Sequence, residues 1–257
     1  HYSYLIGRGF EAAVIDPRRD IEVYLDIAER KGCNITLILE THRNEDCLSG
    51  SVELAEKTGA EVWHADGQLA YQYGKPVAEG QEWKLGDVAL SAISTPGHTP
   101  GSMSYLLSDA GKKPYMLFTG DALFAGEVGR TDLMGDDKIP EMADKLYDSI
   151  FNKILPLGDG VIICPAHGAG SVCGSAISER SWSTIGIERS RNPRLQLKDR
   201  DDFVKAVGVK LEKPPYFKKM EKWNLSGPPG TSSLLQPKAL NPKGFWEESL
   251  KSVVLDI

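Results

Sequence analysis

No stretch of this sequence approaches the roughly 20 consecutive apolar residues that carry a helix across a bilayer, so a membrane-spanning helix is not expected. Positive charge is in short supply too. Thirty Lys and Arg stand against 36 Asp and Glu, a net charge of −6. Nucleic-acid binding needs a basic stripe to neutralise phosphates, so a nucleic-acid partner is disfavoured. The four cysteines, Cys33, Cys47, Cys164 and Cys173, are too few and too scattered for a disulfide framework, and a reducing cytoplasm is the expected setting. There is no internal repeat. What remains is ordinary for a globular chain, 41% hydrophobic and 26% charged, and points to a folded protein acting on a small molecule.

A length of 257 is long for one compact domain and short for two. Short β-type runs bounded by Gly, Pro or Asp fill the first two-thirds, at 12–16, 35–40, 61–65, 88–95, 102–107, 115–119 and 160–164. Helical periodicity appears at 20–31, 47–58 and 138–155, the last with Ile139, Met142, Leu146, Ile150 and Ile154 on one face. Strands alternate with helices early but follow one another directly between 82 and 119, as in an antiparallel meander. The expected class is α+β, with sheets packed on each other and helices outside.

After residue 190 the character changes. Residues 192–230 are proline-rich, with one short helical stretch near Phe203–Val207, and 226–238 reads as a linker. Residues 244–257 read as a short amphipathic helix running into a strand. A buried strand at the end of a chain has nothing to pair with, so 257 is expected to be a cut length.

Three of the five histidines share one setting. His42 follows a strand, His98 lies in TPGHTPGS between two strands, and His167 follows the strand VIIC; Asp121 likewise follows YMLFTG. Strand ends are where loops converge while the strands hold them rigid. Neutral imidazole and carboxylate are good ligands for zinc or iron. These four residues form a plausible metal constellation.

The motifs THRNEDCLSGS (41–51), STPGHTPGS (94–102), FTGDALF (118–124) and CPAHG (164–168), in this order, resemble the metal-site motifs of the metallo-β-lactamase superfamily. TGDALFAGEVGRTDL (119–133) and TIGIERSRNPRL (184–195) are similar to its persulfide dioxygenase subgroup, related to glyoxalase II. PAHGAGSVCG (165–174) resembles bacterial members fused to a rhodanese domain. The resemblance implies a four-layer αββα sandwich over residues 1–190, an extension packed on it at 191–225, a linker at 226–238 and the opening of a rhodanese-like domain at 239–257. It also implies a mononuclear Fe(II) site of His42, His98 and Asp121, with zinc or no metal as alternatives.

The first motif departs from the family pattern T-H-x-H-x-D-H, since Asn44 and Cys47 stand where histidines are usual. Two-metal hydrolysis needs both ions, so that chemistry is weakened. Asp46, Cys47 and His167 then form a vestigial second site. What the resemblance implies is oxidation of a low-molecular-weight thiol persulfide, such as glutathione persulfide, by O2 to sulfite and thiol, in sulfide detoxification. A metal-poor scaffold and a thioester hydrolase of glyoxalase II type are the alternatives.

Arg130 matches a family arginine and is a candidate catalytic residue; it orients the site through hydrogen bonds or pairs with Asp132 on the surface. Cys173 is a candidate redox-active thiol, Cys164 a buried inert one, and His64 a structural residue. Six lysines against two glutamates at 205–222 either steer an anionic thiol or form a solvated face. The expected partners are the persulfide, O2, a rhodanese domain in cis and further copies of the chain.

Overall fold

Period-two alternation sorts the side chains of a strand onto two faces, and in this chain both faces are apolar. In Glu11–Ile15, Ala13 and Ile15 join one hydrophobic cluster while Ala12 and Val14 join another. In Met103–Ser108, Tyr105 and Leu107 point one way and Leu106 the other. Sheets buried on both faces must be covered on both sides. A computed structural model, describing residues 1–174, 176–230 and 240–251, has the four layers that this requires.

The first sheet is ordered Tyr4–Arg8 (β1), Glu11–Ile15 (β2), Asn34–Glu40 (β3), Glu61–His64 (β4) and Lys75–Pro76 (β5). Only the β1–β2 pair is antiparallel. In the second sheet, Glu82–Leu85 (β6), Val88–Ser94 (β7), Met103–Ser108 (β8) and Pro114–Gly120 (β9) form an antiparallel meander. Ile162–Pro165 (β10) joins parallel to β9, and Ser183–Thr184 (β11) closes the edge. Ile15, Leu39, Leu90, Tyr105 and Phe118 fill the space between the sheets.

Glu22–Lys31 (α1) and Ser51–Thr58 (α2) cover the outer face of the first sheet through Tyr24, Ala28 and Leu54. Ile139–Asp148 (α3), Ile185–Arg191 (α4) and Arg200–Val207 (α5) cover the second through Leu146, Ile185 and Phe203. The expected apolar face of 138–155 is buried throughout, but α3 gives way to a wider π turn at Ser149–Ile154. Steps of four residues drift round an α-helix of 3.6 residues per turn, and the wider turn takes that drift back. The helix expected at 47–58 begins only at Ser51, which leaves 41–50 as a loop at the end of β3.

Phe217–Ser226 (α6) carries no sequence signal beyond its charges. It has no side-chain cap and lies between Pro214-Pro215 and Gly227-Pro228. Tertiary contacts hold it: Phe217 and Asn224 are buried. Pro242–Ser249 (α7) starts with the Asn241 side chain accepting from the Gly244 N–H. Most of the expected linker, and the strand expected after α7, lie outside the described residues. Among the described residues no helix is long and apolar enough to cross a membrane.

Candidate metal centre

Four strand-end segments meet at one edge of the sandwich: the 41–50 loop after β3, the β7–β8 loop, the segment after β9 and the segment after β10. Their close packing excludes side chains at particular points. A Cβ on Gly120, whose φ is +52°, would sit 2.7 Å from the Thr41 side chain, and one on Gly129 would sit 1.8 Å from the Asp121 carbonyl oxygen.

Two buried aspartates brace the loops. Asp16 accepts from Thr41 N–H and from Thr41 Oγ1, each at 2.7 Å. Asp66 accepts from Arg43 N–H and Thr99 Oγ1 with one oxygen and from Gly101 N–H with the other, tying the His42 loop to the His98 loop. Both adopt positive φ, 49° and 52°, a costly backbone region for a non-glycine residue.

This bracing sets which nitrogen of each imidazole faces inward. Thr41 Oγ1 gives its hydrogen to Asp16 and therefore accepts from His42 Nδ1 at 2.9 Å, leaving Nε2 with a lone pair. His98 Nδ1 donates to the Arg130 carbonyl at 3.0 Å, so its Nε2 is likewise turned inward. His167 Nδ1 donates to Asp121 Oδ1 at 2.7 Å.

Asp121 Oδ2 then lies 3.4 Å from His98 Nε2 and 3.9 Å from His42 Nε2. All three atoms are buried without a hydrogen-bond partner in the protein. Among the described residues the ligand atoms that lie within 4.8 Å of one another are those of Glu45, His98, Asp121 and Cys173, and His42 is outside that group although its Nε2 is 3.9 Å from Asp121. Two imidazoles and one carboxylate form the donor set that holds non-haem iron with open positions; zinc also accepts it.

Electrostatics reinforce the picture. Burial alone would raise the Asp121 carboxyl, but His167, His42 and His98 hold it well below the usual range. Burial alone would lower His98, but Glu45 and Asp121 lift it to about 9. His167 is lifted to about 10, against burial, by Asp121 and Asp46.

The other expected residues are distributed differently. Asp46 Oδ2 approaches His167 Nε2 at 2.9 Å, and Cys173 completes a second possible metal group with these two. Cys47 is outside that group, with its Sγ 3.5 Å from His1 Nδ1. Burial, then the nearby carboxylates, push the Cys173 thiol far up, and its Sγ donates to Glu45 Oε1 at 3.4 Å. Cys164 is buried in β10, and burial pushes it to about 12. His64 stacks on Tyr71 at 3.8 Å between ring centroids.

The Arg130–Asp132 pair is not on the surface. The guanidinium grips both Asp132 oxygens at 2.7 and 2.9 Å, donates to the carbonyls of Val172, Leu211 and Glu212, and lies over the Phe217 ring. The segment leading into α6 covers it, which a reading of adjacent residues alone could not see. Arg130 meets the metal ligands through its carbonyl, on His98.

Sequence reasoning passed over Glu45. It occupies a variable position of the first motif, yet it is fully buried with Oε1 3.1 Å from His98 Nε2. The one signal for it was an acidic residue beside a missing histidine.

The family model described as "Metallo-beta-lactamase superfamily" matches residues 1–167. The human "Persulfide dioxygenase ETHE1, mitochondrial" is 31% identical over 221 residues, 83% of this chain and 78% of that protein. "Hydroxyacylglutathione hydrolase GloC" from Haemophilus influenzae is also 31% identical, over 208 residues, 73% of this chain and 88% of that protein. The crystal structure of a metallo-beta-lactamase from Staphylococcus aureus superposes with a TM-score of 0.81 at 33% identity, covering 93% of this chain and 72% of that one. With its αββα layers and its candidate ligands at strand ends, the chain belongs to the metallo-β-lactamase superfamily.

Proposed function

We propose that the protein is an iron-dependent persulfide dioxygenase, converting a low-molecular-weight thiol persulfide, O2 and water to the thiol and sulfite. One observation carries this reading. His42 Nε2, His98 Nε2 and Asp121 Oδ2 form a buried, unpartnered two-histidine, one-carboxylate set, while the other Asp121 oxygen is held by His167. That hydrogen bond disfavours a bridging role for Asp121 between two ions. Bound Fe(II) supplies open positions for O2 and a soft sulfur, together with redox chemistry that zinc lacks.

The chain's own residues shape the rest. Burial of the ligands excludes bulk water and keeps the imidazoles oriented. Lys213 and Lys218 line a cavity of about 300 Å³ with Leu133, Pro215, Phe217 and Glu221. Their charge suits the carboxylates of a peptide-like thiol such as glutathione.

Thioester hydrolysis is the second reading. It is favoured by the Asp46, His167 and Cys173 group and by the similarity to GloC. Iron-loaded protein given glutathione persulfide should take up O2 and release sulfite. Uptake at the level of a protein-free control, with turnover of a hydroxyacylglutathione by the zinc form, would move the assignment to the hydrolase. Neither activity, with no iron retained after Fe(II) is added, would leave a scaffold.

A further inference from the structure

We infer that Glu45 is itself a metal ligand, sharing an ion with His98 and Asp121 in place of the histidine missing at position 44. This rests on the metal-binding part of the reading above and not on the persulfide substrate.

His98 Nδ1 holds its hydrogen toward the Arg130 carbonyl, so Nε2 faces inward. Glu45 Oε1 stands 3.1 Å from that nitrogen and Asp121 Oδ2 stands 3.4 Å from it. Close as they are, Nε2, Asp121 Oδ2 and the second Glu45 oxygen have no hydrogen-bond partner. Two carboxylates converge on one imidazole nitrogen in a dry site; without metal a proton on Nε2 lies between them, and a divalent cation can take that proton's place.

The spacing fits such a cation. Ligand atoms of Glu45, His98, Asp121 and Cys173 all lie within 4.8 Å of one another. An ion about 2.1 Å from each donor holds neighbouring donors roughly 3.0–3.4 Å apart, close to the two distances at His98.

Glu45 is fully buried, and while Oε1 accepts from Cys173 and approaches His98, its other oxygen has no partner. Asn44 also has a buried amide oxygen without a partner, which makes it the rival ligand. An amide is neutral and weak, whereas a carboxylate binds a hard divalent ion strongly. The second anion favours Fe(II), Mn(II) or Zn(II) over soft metals.

The test is titration of the chelator-stripped full chain with Co(II), followed by its visible ligand-field bands, and with Fe(II) by retention on desalting. Wild type should bind. Glu45→Gln, folded by far-UV circular dichroism, should lose about tenfold or more in affinity and shift the Co(II) bands, while Asn44→Ala changes neither. Glu45→Asp should recover part of the affinity. Unchanged bands in Glu45→Gln would overturn the proposal even if affinity fell, because a residue that merely positions His98 would act that way. A band shift in Asn44→Ala alone would give the place to Asn44. Wild type binding no metal would overturn both the proposal and the metal reading.

Discussion

The two halves of the site differ in how their donor atoms are used. Around His42 and His98 the inward nitrogens and Asp121 Oδ2 have no partner. Around His167, Nε2 likewise has no hydrogen-bond partner and lies 2.9 Å from Asp46 Oδ2, but Nδ1 donates to Asp121 Oδ1 at 2.7 Å, whereas His98 Nδ1 donates to a backbone carbonyl. Burial differs as well: Glu45 and Asp121 are sealed, while the Asp46 side chain keeps 13% exposure. In the sealed half a proton on His98 is what the two carboxylates share, and a divalent cation can take its place. In the other half the histidine also orients Asp121 and one carboxylate reaches solvent.

The sharpest way to break this contrast is to remove one histidine from each half. His98→Ala should abolish iron retention on desalting, because it removes a donor that no neighbour replaces. His167→Ala should largely spare retention, losing only the bond that orients Asp121. Equal loss in both would mean that the two halves act as one dinuclear site.

A smaller effect follows from protonation. His98 and His167 are held at about 9 and about 10, well above an unfolded histidine near 6.5. The folded chelated protein therefore binds more protons than the unfolded chain between roughly pH 6.5 and 10, so its stability falls as pH rises through that window. The buried Cys173 thiol acts in the same direction, since an unfolded thiol ionises near 8.5. Melting temperature of chelated protein should drop from pH 7 to 10. Metal-loaded protein should resist that drop near neutrality, because neutral imidazole is the binding form. A flat profile for the chelated form would show that the histidines are not held charged.

The smallest effect tests what holds the first loop in place. Asn224 in α6 accepts from Ser49 N–H and donates to the carbonyls of Asn44 and Cys47. Asn224→Ala leaves those buried groups unpaired, at about 1–3 kcal/mol. A lower melting point, with weaker metal retention than wild type, is expected. A lower melting point with retention unchanged would show that the loop keeps its shape without α6.

Much of the scaffold is legible in the residue order. Runs such as Ala12–Ile15 and Met103–Leu107 are apolar on alternate faces and so require two cores, and the direct succession of strands after residue 82 gives the meander. His42, His98, Asp121 and His167 are recognisable because each follows or joins a strand. α6 is not legible, because a proline-flanked, lysine-rich segment has no strong propensity and folds by burying Phe217 and Asn224. The burial of Arg130 depends on the same segment.

Residue order alone therefore determines the layers and the strand-end placement of the histidines, because periodicity and turn chemistry are local. Tertiary structure decided which donors share one point in space. It put Cys173 rather than Cys47 beside Asp46 and His167, and it brought Glu45 within reach of His98 and of Cys173, 128 residues away along the chain. Those distances come from packing loops across two sheets, and no pattern within a single loop encodes them.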